Sequence, residues 1–286
     1  MTNPIGLNLH ARRLDGSLTV LEEDLATVVR GGGDLAEVAV NGLDVIAHGK
    51  LFRPRLNVVK RTLNGYPVRY TVHAPNCLNL QDIRRASLQS ELFMACLEFS
   101  AEIRATHFVY HEGLATGEHP AQAAQESEVK ALQRLGKVAE AEGITICVEN
   151  NRTDVRRVTS LVDTVACRGV RVCCDIAHLF LTVQGQTAEL LKAIAESAPY
   201  ICHVHVHDNF GLGEIATLEP YVEGLPLGEG DLHLPLGWGC IPYRDVFAAM
   251  KRWYRGAYVL ELKPRFFEVG LASTALQDLQ KSVQGA

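Results

Sequence analysis

The chain has 286 residues, of which 47% are apolar and 21% are charged, and these proportions predict a globular protein with a large core. Its net charge of −5 gives no overall basic surface of the kind that usually marks a nucleic-acid-binding protein. No segment has the apolar length of a membrane span, and the N-terminus lacks the basic and apolar regions of a signal peptide. We therefore expect a cytoplasmic protein that does not bind membranes.

Eight short β-rich segments alternate with helical segments along the chain. The predicted strands are 5–9, 35–40, 69–73, 107–111, 144–150, 170–175, 200–206 and 257–262. The predicted helices are 21–30, 53–63, 82–105, 120–141, 155–166, 187–197, 243–254 and 272–283. Eight successive strand–helix units predict a parallel sheet that closes into a (β/α)8 barrel. An open, doubly wound sheet is the alternative, but no GxGxxG follows the first strand.

No linker, charge block or repeat divides the sequence, so we expect one domain over residues 1–286. The longest irregular stretch is 208–239, which is rich in glycine. It follows the seventh predicted strand, and it would therefore lie on the catalytic face of a barrel.

The eight cysteines show no CxxC pairing, and several fall inside apolar strand-like segments. Buried free thiols in a reducing compartment fit this pattern better than a disulfide framework.

Ionisable side chains stand at or near the ends of six successive predicted strands, one on each strand. They are His73, His111, Glu149, Asp175, His205 and Glu261. In a barrel, the C-terminal ends of the strands converge on one mouth, where active sites are built. The pattern therefore predicts a cluster of potential metal ligands.

Three further residues join this cluster by their spacing. His178 follows Asp175 by three residues, and Asp231 and His233 lie two apart in the long loop. Carboxylate and imidazole together suit zinc, manganese or iron, whereas an all-oxygen set would suit magnesium or calcium. We expect a divalent metal cofactor, Zn or Mn, with one to three ions per chain.

The segment HVHVHD places three histidines at alternate positions of the seventh strand, so that they point to one face. If His205 ends the strand at the mouth as a ligand, His203 lies one layer deeper as a neutral, hydrogen-bonded core histidine. His207 would then lie beyond the strand, near solvent or substrate.

These segments together resemble a known superfamily. Their order along the chain is similar to the pattern of xylose isomerase-like TIM barrels. The segments are TVHAPNCLNL, YHEG, CVENN, DIAH, HVHD, DLHLPLGWG and LEL. That superfamily includes sugar (phosphate) isomerases and epimerases and the endonuclease IV-type AP endonucleases.

The two branches imply different metal contents. The resemblance to the endonuclease branch implies three sites: His73, His111 and Glu149; Glu149, Asp175, His205 and Glu261; and His178, Asp231 and His233. The resemblance to the epimerase branch implies one metal on the second of these sets. There the residue matching His178 binds substrate, and the residues matching Glu149 and Glu261 also move protons.

The sequence departs from both branches. The loop after strand two, AHGKLFRP, is short, and APNC after His73 lacks the aromatic residue that the DNA-cleaving branch inserts into DNA. Epimerases often carry an arginine six residues past the strand-seven histidine, where this chain has Gly211.

We therefore predict a metal-dependent isomerase or epimerase of a small sugar or polyol-like carbonyl compound. Glu149 and Glu261 would be acid and base, with His178 and either Lys263 or Arg152 at substrate oxygens. The partner is a small-molecule sugar-like substrate; nucleic acid is not favoured, and no feature specifies the interface of a homo-oligomer.

Two alternatives remain open. A trinuclear-metal hydrolase of phosphate esters, similar to endonuclease IV, would use the complete ligand set. A barrel without catalysis would be a scaffold, but uncompensated buried charges are costly to retain.

Overall fold

The computed structural model describes residues 3–213 and 221–286. Eight parallel strands form a closed barrel, in which each strand pairs with its sequence neighbours and β1 pairs with β8 through Ile5 and Tyr258. The strands are β1 Ile5–Leu9, β2 Leu35–Ala39, β3 Arg69–His73, β4 His107–His111, β5 Thr145–Glu149, β6 Val170–Asp175, β7 Ile201–Val206 and β8 Ala257–Leu260.

Twelve helices lie in the described residues. They are α1 Ala11–Leu14, α2 Leu18–Arg30, α3 Arg53–Asn64, α4 Ala86–Glu102, α5 Ala121–Ala141, α6 Val155–Val165, α7 Ile176–Thr182, α8 Thr187–Ser197, α9 Tyr221–Leu227, α10 Tyr243–Met250, α11 Pro264–Glu268 and α12 Leu271–Gly285. The described residues also form two 3-10 turns, Val40–Gly42 and Ile83–Arg85, and an antiparallel pair, Ile46–Ala47 with Lys50–Leu51. None of these helices is long and apolar enough to cross a membrane.

Capping residues explain where several of the outer helices begin. Ser17 Oγ accepts a hydrogen bond from Val20 N at the start of α2, and the Asp154 carboxylate accepts one from Arg156 N at the start of α6. Each cap satisfies a backbone N–H that has no partner within the helix. Behind the caps, α6 buries Val158 and Leu161 against the barrel, as an amphipathic helix does.

The (β/α)8 prediction is correct, and four of the predicted strands have the observed bounds. Predicted helix 82–105 is in fact two elements, because Asp82 caps a 3-10 turn that precedes α4. The sequence did not predict the four short helices α1, α7, α9 and α11, which are too short for a clear helical periodicity.

The stretch 208–239 is not structureless where it is described. The Asp208 carboxylate accepts hydrogen bonds from the backbone N–H groups of Asn209, Gly237 and Ile241, and Asp208 also pairs with Leu234 in an antiparallel bridge. Asp208 is fully buried. Its hydrogen bonds hold both ends of the segment next to the end of β7. Residues 214–220 of the predicted loop lie outside the described residues.

Candidate metal centre at the barrel mouth

The barrel brings the six strand-end residues together. His73, His111, Glu149 and Asp175 are the last residues of β3 to β6, His205 is the penultimate residue of β7, and Glu261 directly follows β8. A cavity of about 410 Å³ opens above them. His73, His111, Glu149 and Glu261 line it together with His178, Asp231 and His233, whereas Asp175 and His205 are fully buried.

Glu149 lies at the centre of the cluster. Its Oε2 is 3.4 Å from His73 Nε2, 3.3 Å from His111 Nε2 and 3.3 Å from His205 Nδ1. Its Oε1 is 3.5 Å from His178 Nδ1. Burial raises the pKa of Glu149, but the charges of His111 and His205 outweigh burial and hold the pKa well below its usual value.

Glu261 faces Glu149 across the His205 ring. Its Oε1 is 3.4 Å from the same His205 Nδ1 and accepts a hydrogen bond of 2.9 Å from Asn8 Nδ2. Burial and the Glu149 charge together raise the pKa of Glu261, although His205 opposes them. The two glutamates thus meet at one nitrogen, and their pKa values are displaced in opposite directions.

A second group of side chains surrounds Asp231. The Asp231 Oδ2 atom is 2.9 Å from His233 Nε2 and 3.4 Å from His178 Nε2. The other side of the His178 ring contacts Asp175, with 3.4 Å between Nδ1 and Oδ2. Asp175 therefore links this group to the Glu149 cluster.

His207 lies beyond the end of β7, as predicted, but the expectation that it is near solvent is wrong. This histidine is fully buried, not near solvent, and its Nε2 lies 3.2 Å from Asp175 Oδ2. Its ring stacks on His233 with 3.8 Å between centroids. His207 is therefore a fourth member of the group around Asp231, with His178 and His233.

Glu37 is a central residue that the sequence analysis missed. Its Oε2 accepts hydrogen bonds from His203 Nε2 at 2.8 Å and Thr71 Oγ1 at 3.0 Å. Its Oε1 accepts one from Asn8 at 2.9 Å and lies 2.9 Å from His205 Nε2. His203 is thus a buried, hydrogen-bonded core residue. A charged residue in the middle of the apolar strand LAEVA was the available signal.

The residues present fit divalent cations. Several buried polar atoms have no hydrogen-bond partner: Glu149 Oε2, His178 Nδ1 and Nε2, His205 Nδ1, His207 Nδ1 and Asp231 Oδ1. Native proteins rarely leave such atoms unsatisfied without a water or ion. Ligand atoms about 2.1 Å from a tetrahedral ion lie about 3.4 Å from one another, and the separations around Glu149 Oε2 are 3.3 to 3.4 Å.

A smaller recess of about 180 Å³ adjoins the mouth at His111. Arg152 and Glu112 line it, whereas Lys263 lines the main cavity. The sequence analysis did not single out Glu112, whose pKa burial raises to about 7. These groups place positive charge and hydrogen-bonding capacity on both sides of the candidate ligands.

Two features of the long loop bear on substrate binding. Trp238 is 55% exposed and packs edge-on against Phe266, so its ring is available at the rim. A Cβ on Gly211 would lie 2.5 Å from Gly185 Cα, and the residue has a φ of +68°. The position where epimerases often carry an arginine therefore has no room for one here.

The chain matches the model of the xylose isomerase-like TIM barrel family over residues 27–281. A curated relative, the uncharacterized protein MJ1614 of Methanocaldococcus jannaschii, is 25% identical over 256 residues, which are 84% of this chain and 83% of that protein.

Solved structures with the same architecture include a D-tagatose 3-epimerase-like protein, with a TM-score of 0.74, 20% identity and coverage of 98% of this chain and 97% of that one. The D-psicose 3-epimerase with D-tagatose from Clostridium cellulolyticum H10 has a TM-score of 0.72, 15% identity and coverage of 99% and 98%. At these identities, the likeness establishes a common fold.

Proposed function

This chain belongs to the xylose isomerase-like TIM barrels, and we propose that it is a divalent-metal-dependent isomerase or epimerase of a small sugar or polyol-like carbonyl compound. One observation carries the proposal. The carboxylates of Glu149 and Glu261 lie 3.3 Å and 3.4 Å from the same atom, His205 Nδ1, at the mouth cavity. Two carboxylates around one centre can take a proton from carbon and return one.

Glu149, Asp175, His205 and Glu261 would hold the ion. A divalent ion bound there supplies Lewis acidity, which acidifies the C–H beside a carbonyl group and stabilises the negative charge that develops on oxygen. In the proposed reaction, one glutamate removes the proton from that carbon and the other delivers a proton from the opposite side. The raised pKa of Glu261 and the lowered pKa of Glu149 suit an acid and a base, respectively.

The cavity lining supports a small hydroxylated substrate. Asn8, Asn41, Asn76 and Asn151 contribute amide groups, and Lys263 contributes an ammonium group. These groups can donate hydrogen bonds to hydroxyl and carbonyl oxygens. A volume of about 410 Å³ is in the range of pockets for small organic ligands. The related solved structures include a D-tagatose 3-epimerase-like protein and an L-ribulose 3-epimerase.

The test is a screen of ketohexoses, ketopentoses and inososes with metal-loaded protein in D2O, followed by NMR. We expect deuterium to enter the substrate at the carbon that changes configuration. Glu261→Gln and Glu149→Gln should each lower turnover by about 100-fold or more. The matched control is Asp24→Asn, which alters a buried carboxylate on α2 and should leave turnover unchanged. Full activity in Glu261→Gln would remove it from the reaction.

The group around Asp231 is the observation that favours a second candidate, a trinuclear-metal hydrolase of phosphate esters. His178, His207, Asp231 and His233 offer ligand atoms within 4.8 Å of one another, which is more than a single-metal epimerase requires. Metal analysis of protein purified without chelator separates the candidates. A metal content that falls by one ion per chain in His233→Ala would favour the hydrolase; a content unaffected by that variant would favour the epimerase.

An abasic DNA duplex and simple phosphate monoesters are the substrates for the second candidate. Cleavage that is lost in His73→Ala and His111→Ala would overturn the isomerase proposal. Absence of cleavage together with deuterium exchange into a ketose would exclude the hydrolase.

A further inference from the structure

We propose that His107, Cys147 and Cys202 bind a thiophilic divalent cation such as Zn²⁺ at a second centre, inside the barrel and away from the mouth. His107 is the first residue of β4, Cys147 is the middle residue of β5, and Cys202 is the second residue of β7. The ligand atoms of this thiol site lie within 4.8 Å of one another. The proposal does not depend on the reaction at the mouth.

The distance between the two sulphur atoms is closer to that of two ligands on one metal ion than to that of a disulfide bond. The Sγ atoms of Cys147 and Cys202 are 3.4 Å apart, whereas a disulfide bond is about 2.0 Å long. Sulphur ligands about 2.3 Å from a tetrahedral zinc ion lie about 3.8 Å apart. Since β6 lies between β5 and β7, the two backbones are roughly two strand spacings of about 4.8 Å apart, beyond the reach of an unstrained disulfide.

A register irregularity explains how Cys202 joins the site. β6 and β7 pair Val172 with Ile201 and then Cys173 with His203, so the ladder skips Cys202. In a regular strand, Cys202 and His203 would point to opposite faces of the sheet. The irregularity lets both contribute to the barrel interior, and bulges of this kind are over-represented beside functional sites.

The imidazole is held in a suitable orientation. His107 Nδ1 is 2.9 Å from Thr106 Oγ1, and such a partner on one ring nitrogen orients the other toward a metal. His203 stacks on the His107 ring with 5.6 Å between centroids, and His203 is itself held by Glu37. The Cys147 hydrogen bond and the charge of His107 lower the pKa of Cys202 against burial, whereas burial raises the pKa of Cys147.

The site has a route for metal entry. Cys147 is buried, but His107 and Cys202 are both partly exposed, so water at the N-terminal end of the barrel reaches two of the three ligands. With three protein ligands, a water molecule or hydroxide completes a tetrahedral zinc site.

Cobalt substitution tests the proposal. Protein stripped with chelator and reloaded with Co²⁺ should show thiolate-to-cobalt charge-transfer absorption, because the proposed ligands at the mouth include no thiolate. The absorption should disappear in Cys202→Ser and in Cys147→Ser, and each variant should hold one ion fewer per chain than the wild type. Cys96→Ser is the matched control, since Cys96 is a buried thiol on the outer helix α4, and it should keep the absorption.

Three outcomes would overturn the proposal. They are no thiolate absorption in fully cobalt-loaded wild type, absorption that survives in Cys202→Ser, and a Cys147–Cys202 disulfide in the mass spectrum of freshly purified protein. If Cys147→Ser does not fold, Cys202→Ser and His107→Ala give the same test at the two partly exposed ligands.

Discussion

Glu37 shows how one buried carboxylate can organise the ligands above it. Its two oxygens contact the ring nitrogens of His203 and His205 and also accept hydrogen bonds from Asn8 and Thr71. A carboxylate behind a metal-binding histidine fixes the ring orientation and makes the imidazole a better ligand. Glu37 is therefore positioned to orient the His205 ring through Nε2, while Nδ1 faces Glu149 and Glu261.

We expect Glu37→Gln to weaken metal binding at the mouth by about 10- to 100-fold. The amide keeps the shape of the side chain but loses the negative charge that faces two imidazoles. Competition with a chromophoric chelator measures the affinity, with Asp24→Asn as the control for loss of a buried carboxylate. Unchanged affinity would mean that His205 needs no partner behind it.

Arg13 and Asp24 form a partly buried ion pair outside the mouth. Arg13 Nε donates a 2.8 Å hydrogen bond to Asp24 Oδ1, and the guanidinium lies over the Phe267 ring. Burial raises the pKa of Asp24 to about 6 even though Arg13 lowers it. The native state binds this proton more tightly than the unfolded chain does. The free energy of unfolding should therefore increase as pH falls from about 6 to about 4.

Arg13→Gln should therefore destabilise the protein more at pH 8 than at pH 5. At pH 8 the variant leaves a charged Asp24 buried without its partner, at a cost of about 3 kcal/mol, whereas at pH 5 the carboxyl group is largely protonated. Urea unfolding at both pH values measures the difference, with the exposed Arg12→Gln as the control. An equal loss at the two pH values would contradict the raised pKa.

At the scale of elements, α7 depends on the same carboxylate as the proposed metal site. Asp175 Oδ1 accepts a 2.7 Å hydrogen bond from His178 N and so caps the helix, while Oδ2 faces the His178 and His207 rings. Asn150 holds the Asp175 backbone through two hydrogen bonds. The cap places His178 one helical turn beyond the strand end, over the mouth.

Asp175→Asn and Asp175→Ala should separate these two roles. Asparagine caps helices as well as aspartate does. With metal removed by chelator, Asp175→Asn should therefore have the same free energy of unfolding as wild type, but it should bind metal more weakly. Asp175→Ala should lose metal affinity and also about 1 kcal/mol of stability. Equal stability of the two variants would show that the cap does not stabilise α7.

At the scale of the whole molecule, every barrel strand has a partner on both sides, and each pairs with its neighbours in parallel register. A barrel closed in this way cannot lose one unit without exposing the edges of the others. One domain over residues 1–286 stays a prediction, and it implies a single cooperative transition.

Thermal unfolding should give coincident curves by far-ultraviolet circular dichroism and by tryptophan fluorescence. Trp238 lies in the long loop and Trp253 follows α10, so a Trp238→Phe variant lets Trp253 report alone. Added Zn²⁺ or Mn²⁺ should raise the midpoint, because a ligand that binds only the native state stabilises it. Separate transitions by the two probes would divide the chain into more than one folding unit.

The strands and the strand-end residues could be predicted because both depend on local order in the chain. Apolar segments of strand length alternate with amphipathic helices, and parallel connectivity then places every strand end on one side. The family match agrees with the resemblance that these segments carry. His73, Glu149 and Glu261 could be grouped for this reason alone, without knowledge of any distance.

Other members of the site depend on which side chains meet across the barrel. Glu37 is remote in sequence from His203 and His205, and only the closed sheet brings these residues together. The direction of His207 depends on the Asp208 anchor, and the position of Cys202 depends on a skipped pair between β6 and β7. Periodicity along one strand carries no information on such contacts.

The sequence by itself therefore determined the fold class and singled out the nine residues proposed as ligands at the mouth, since periodicity, strand polarity and the spacing of near neighbours are properties of short segments. The tertiary structure decided that Glu37 supports the histidines, that His207 joins the group around Asp231, and that two thiols approach each other inside the barrel. Those contacts arise from the register and curvature of strands that are distant in sequence, and barrel closure is what sets both.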